Sequence, residues 1–97
     1  MRKVTKYWTQ KNGQKIRICD MTDSHLLNAA KLLQRNAQAE RSNMPYPMFT
    51  GGMAQYYAEA EYYAMWEKGE AELAETVYPI YEYLYAEIER RNLTEQL

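Results

Sequence analysis

The sequence predicts an α+β protein, mainly α, in which an N-terminal two-stranded β-hairpin arm precedes two to three packed helices and the chain is oligomeric. Three observations carry that expectation. β-rich runs flank an Asn12-Gly13 pair, and apolar residues recur at helical spacing from Leu26 onward. Ten tyrosines and two tryptophans exceed what the core of a 97-residue chain hides. A chain this short is one domain, with residues 1–20 as the arm and 21–97 as the helical region. Burial between copies would add materially to its stability.

The hairpin is expected over residues 4–9 and 14–19, because Asn and Gly both tolerate the positive φ of a tight turn. A two-residue turn sets Tyr7 opposite Ile18, Trp8 opposite Arg17 and Thr9 opposite Ile16. Tyr7, Ile16 and Ile18 then form an apolar face. The other face carries Trp8 with Lys6, Lys15 and Arg17, the guanidinium lying over the indole. A lone hairpin is unstable, so it lies on the helices or clasps a neighbouring chain.

Asp20 or Thr22 caps the first helix, over residues 24–40, and Asp23 complements its positive end. Leu26, Ala30, Leu33 and Ala37 make its buried stripe, widened by Leu27 and Leu32. His25, near its start, either ties hairpin to helix or serves as a ligand contact or acid-base group, and Asn28 beside it satisfies backbone groups of a neighbouring loop or contacts a ligand. Residues 42–52 (SNMPYPMFTGG) form an apolar loop that packs down as a lid or covers a partner. The second helix, over residues 51–68, ends at Gly69 as C-cap. Met53, Tyr56 or Tyr57, Ala60, Tyr63 and Ala64 trace one face, while Tyr62 and Trp66 are neighbours on another. A third helical region, residues 70–92, breaks near Pro79 because proline disfavours α geometry at Tyr78. Val77, Tyr81, Leu84 and Ile88 form its core stripe with Tyr85 beside it, and Tyr83, Glu87 and Arg90 point elsewhere.

Hydrophobic residues at 46%, charged residues at 26% and a mean hydropathy of −0.74 fit a folded domain without a membrane span. No apolar signal core follows Met1-Arg2-Lys3-Val4, so the host cell cytoplasm is the expected location. The single Cys19 forms no internal disulfide. The net charge of −1 hides an asymmetry: residues 1–50 carry nine Lys/Arg against three acids, residues 51–97 three against ten. These halves attract, within one chain or between chains.

Enzyme signatures are missing: no metal-ligand spacing, no phosphate-binding glycine loop, no nucleophile elbow. The expectation is a protein without catalytic activity, metal or cofactor. A pI near 5.8 and the lack of a recognised module argue against binding DNA or RNA polymers. Arg90-Arg91 complement a helix C-terminus or read a phosphate bidentately, and Arg35 and Arg41 are the other arginines placed for that role.

The order Trp8, Asn12-Gly13, Ile16-x-Ile18, Asp20-Met21, Asp23-x-His25-Leu26, Asn28 resembles small phage-borne proteins. With Tyr78-Pro79 and a terminal Glu87-x2-Arg90-Arg91-Asn92-Leu93, it is similar to the Thoeris anti-defence sponge family. That family sequesters cyclic ADP-ribose-type immune signals without cleaving them. The resemblance implies dimers, or hexamers built as trimers of dimers, with nucleotide pockets between subunits and in some members a separate site for cyclic oligonucleotides. It implies arginines on phosphates, matched here to Arg90 or Arg91 and Arg35 or Arg41, and an aromatic ring on the base, matched to Phe49 or to Tyr56, Tyr57 or Tyr63. The competing expectation is a phage-borne inhibitor or adaptor that grips a host protein through its tyrosine-rich surface.

Overall fold

The structure is a computed structural model and describes residues 2–48 and 51–97. Strands β1 (Tyr7–Thr9) and β2 (Lys15–Arg17) are followed by a 3-10 turn at Ile18–Asp20 and helices α1 (Asp23–Ser42), α2 (Gly52–Glu67), α3 (Glu70–Val77) and α4 (Tyr81–Arg90). The hairpin and mainly helical character are as expected, with four helices among the described residues in place of two to three. No helix among the described residues is long and apolar enough to cross a membrane.

The hairpin corrects the sequence reading by one residue. In its loop Gly13 has φ +86° and Asn12 stays at negative φ, so the turn is not the two-residue type that needs both positive. Gln10 N–H instead donates to Gln14 O at 2.7 Å and Gly13 N–H to Gln10 O at 2.9 Å, enclosing a three-residue loop. Tyr7 therefore faces Arg17, Trp8 faces Ile16 and Thr9 faces Lys15. A one-residue slip exchanges the faces of a strand. Trp8 and Ile16 now pack against the core, and Arg17 lies over the Tyr7 ring at 5.8 Å rather than over the indole.

Thr22 is the residue that caps α1, its Oγ1 accepting from His25 N–H at 3.1 Å. Leu26, Leu27, Ala30, Leu33 and Ala37 are buried as expected, whereas Leu32 is 40% exposed. Their stripe faces α3 and α4, which supply Leu73, Ala74, Tyr81, Leu84 and Ile88. Gln34, buried on α1, donates through Nε2 to the Tyr81 hydroxyl at 2.7 Å and joins α1 to α4 through the core. Tyr78 sits at φ −124°, ψ 94°, and with Pro79 it separates α3 from α4 at the expected break. Gly69 is a correction: it has φ −70°, ψ 170° and serves as N-cap of α3, so no left-handed glycine ends α2.

Glu87 is a second correction, because its side chain is fully buried instead of pointing away from the core. Oε1 accepts from Arg90 Nε at 2.8 Å and from Val4 N–H at 3.4 Å, and Oε2 accepts from Arg91 Nε at 2.8 Å. Arg91 reaches further, to Asp23 Oδ1 at 2.9 Å and to the Cys19 carbonyl at 3.1 Å. One carboxylate thus joins the N-terminal segment, the 3-10 turn, the start of α1 and the end of α4. A buried charge with this many donors is held ionised against its desolvation cost.

Helix α2 touches this core only through the half-buried Met65. None of its residues is buried, although eleven of its sixteen are Tyr, Ala, Met or Trp in the run MAQYYAEAEYYAMW. Apolar side chains lie on all its sides, so no single stripe directs it onto α1. The chain is correspondingly elongated, 51 × 28 × 20 Å.

The hydrogen bonds of Arg90, followed by those of Arg91 and Val4, hold the Glu87 carboxyl at about 2. Its stabilising contribution is therefore complete above the unfolded carboxylate value near ~4.3 and is lost as pH falls through the folded value. Glu87→Gln is expected to cost about 2–3 kcal/mol in urea unfolding at neutral pH. The gap to wild type should shrink steadily as the measurement moves from pH 5 to pH 2.

Candidate functional site

The feature with the most chemistry outside the core is the aromatic surface made by α2 and the Pro45-Tyr46-Pro47 loop. Two prolines keep that loop extended along the helix. Tyr46 donates its hydroxyl to Glu59 Oε1 at 2.6 Å, and Gln55 Nε2 donates to the same oxygen at 2.6 Å and to the Pro47 carbonyl at 3.2 Å. The hydrogen bond to Glu59 pushes the Tyr46 phenol well above its ordinary value, and the Glu59 carboxyl is lowered by Tyr46 and then Gln55. The loop is strapped onto α2, which is the lid expectation.

Rings line up along the strap. Tyr46 meets Tyr62 edge-on at 5.3 Å, Tyr62 meets Tyr63 at 5.4 Å, and Trp66 follows at 6.3 Å from Tyr62. Arg41 closes the row, its guanidinium 4.8 Å from the Trp66 ring centre. Arg41 Nη1 also donates to the Lys68 carbonyl at 3.3 Å and the Met65 carbonyl at 3.5 Å, so it satisfies carbonyls at the last turn of α2 and holds the elbow between α2 and α3 against the end of α1. Beside this row lies a groove of about 690 Å³, within the usual range for organic ligands. Met44, Pro45, Ala58, Tyr62 and Met65 form its apolar walls, and Glu61 is its one carboxylate.

The sequence-predicted site residues fall into separate places. Arg41 and Tyr63 belong to the aromatic row. Tyr56 and Tyr57, 64% and 58% exposed, make a T-shaped pair at 5.6 Å nearer the start of α2. Arg35 is exposed on α1. Arg90 and Arg91 have their guanidinium groups on Glu87 and Asp23. Arg91 is tied to the first residue of α1 and Arg41 lies near its last, about 27 Å away at 1.5 Å per residue. One chain does not bring the two arginine sets onto one ligand. Phe49 lies outside the described residues.

Sequence reasoning missed Tyr46, Glu59 and Arg41's contact with Trp66. Tyr46 had a signal, since a tyrosine between two prolines is presented on an extended strap. The Arg41–Trp66 contact had none, because it spans 25 residues across a loop. His25 and Asn28 border a smaller hollow of about 300 Å³ with Trp8, Gln10 and Lys11, which places them between hairpin and α1 as the sequence suggested.

No protein family, curated protein or solved structure matches this chain. The elbow gives a direct expectation. Arg41→Ala should lower stability by about 1–2 kcal/mol through the lost carbonyl bonds and ring contact. In a Trp8→Phe background the fluorescence of Trp66 should shift to the red; an unshifted spectrum would show that Arg41 does not hold the elbow.

Proposed function

We propose that this chain is a non-catalytic phage anti-defence protein. It sequesters a cyclic nucleotide immune signal, a cyclic ADP-ribose isomer or a cyclic oligonucleotide, in pockets completed between copies of itself in the host cytoplasm. The observation that supports this reading is the row of exposed rings ending in a guanidinium beside an apolar groove. Rings stack on a purine and an arginine meets a phosphate, and neither contact requires a nucleophile or a general base. Arg41 and Tyr63 take these roles within one chain, while Arg35 is exposed on α1, outside the row. Arg90 and Arg91 reach a phosphate only by leaving Glu87.

A protein-binding inhibitor or adaptor is the second reading. It is favoured by Tyr56 and Tyr57, whose exposed paired rings lie apart from the groove and suit a protein interface.

Melting the purified protein with cyclic ADP-ribose isomers and cyclic oligoadenylates separates the two. A sponge at a hundredfold excess of ligand over Kd gains about 2.7 kcal/mol, which raises Tm by roughly 10 °C or more in a chain of this size. The ligand should be recovered intact after heating, and Tyr63→Ala should remove most of the shift. No shift across the panel, or breakdown products, would overturn the sponge reading and leave the protein-binding one.

A further inference from the structure

We infer that the groove on α2 is the docking site for the exposed ridge of α1 in a second copy of this chain, with Arg35 of one copy pairing with Glu61 of the other. The inference rests on the assembly of identical chains proposed above and names the surfaces that build it.

The first observation concerns charge. Every ion pair among the described residues uses Lys68, Arg90 or Arg91 as its cation. Those three are all the cations of the acidic half of the sequence. The nine cations of the basic half form no ion pair among the described residues, so the two oppositely charged halves do not neutralise each other there. Complementary charge left unpaired in one copy is available to the next.

The second observation concerns apolar area on the rest of α2, outside the groove lining. Met53, Tyr56, Tyr57, Tyr63 and Trp66 are 42–64% exposed on the other sides of α2, and Met48 on the preceding loop is 87% exposed. At ~150–250 Å² per large ring these side chains leave roughly 500 Å² of apolar surface uncovered, the upper range for a monomer and more than half of one partner's share of a standard interface.

The third observation is a fit between two shapes. The groove is apolar apart from Glu61, for which no hydrogen bond or ion pair is formed within the described chain. A complementary ridge needs an apolar side chain flanked by cations. On α1, Leu32 is 40% exposed between exposed Lys31 and Arg35, and neither cation has an ion-pair partner among the described residues. Leu32 and Arg35 are three residues apart and share one helix face, so Leu32 enters the groove while the Arg35 fork meets the carboxylate at its edge. Acids alone on α2, with no lysine or arginine between Gly52 and Glu67, disfavour the alternative in which α2 pairs with its own copy.

Charge exchange tests the pairing. Wild-type chain should sediment as a dimer or larger assembly at micromolar concentration. Arg35→Glu alone and Glu61→Arg alone should each raise the dissociation constant at least tenfold, with unchanged far-ultraviolet circular dichroism because both sites are exposed. The double variant Arg35→Glu/Glu61→Arg should recover most of the wild-type affinity. A wild-type chain that assembles while the double variant gains nothing over the singles overturns this interface and leaves assembly standing. A wild-type chain that is monomeric at every concentration overturns the interface and the intersubunit pockets together, whatever the nucleotide melts show.

Discussion

The buried carboxylate of Glu87 is the constraint around which the rest of the chain is arranged. It lies inside the core with Arg90, Arg91 and the Val4 amide as donors, and Arg91 carries the connection on to Asp23 and the Cys19 carbonyl. Removing any donor leaves a charge in a low-dielectric interior, so the N-terminal segment, the 3-10 turn and the two helix ends are interdependent. The hairpin is consequently part of the body of the molecule. Trp8 and Ile16 rest on the core, and only the face of Tyr7 and Arg17 is left to solvent.

Because the core is built from α1, α3, α4 and the 3-10 turn, α2 meets it only through the half-buried Met65. The chain nonetheless holds this helix firmly at both ends. Tyr46, Gln55 and Glu59 fix the incoming strap, and Arg41 fixes the outgoing elbow by meeting the last carbonyls of α2 and the face of Trp66. An exposed aromatic helix anchored in this way is preorganised, and preorganisation lowers the ordering cost of whatever covers it. The proposed sponge function and the proposed intersubunit pairing both draw on that property. They place the covering surface on a second chain, where Lys31 and Arg35 form no ion pair among the described residues.

How far the sequence was legible follows from the range of the interactions. Thr22 at the start of α1, the break at Tyr78-Pro79 and the stripe from Leu26 to Ala37 were readable because capping, proline geometry and helical period are local. The hairpin was readable in kind and wrong in register. Asn-Gly favours a two-residue turn, but a three-residue loop with Gly13 alone at positive φ brings Trp8 and Ile16 to the core. Glu87 was misread because a charged residue at helical spacing ordinarily faces water, and its partners include a backbone amide 83 residues away. The row from Tyr46 to Arg41 was half legible: the rings were visible in composition, their order was not. The placement of Arg90 and Arg91 on Glu87 depended on the same burial and was equally hidden.

The central claim is that α2, uncovered in one chain, is covered when chains assemble. Amide hydrogen exchange followed by mass spectrometry across a dilution series tests it most directly, since exposed helices without tertiary cover exchange fast. Peptides from α2 should be protected at high protein concentration and lose that protection on dilution, while peptides from α1 around Leu33 and from α4 around Glu87 change little. Fast exchange of α2 at every concentration, with the core protected throughout, would contradict the claim.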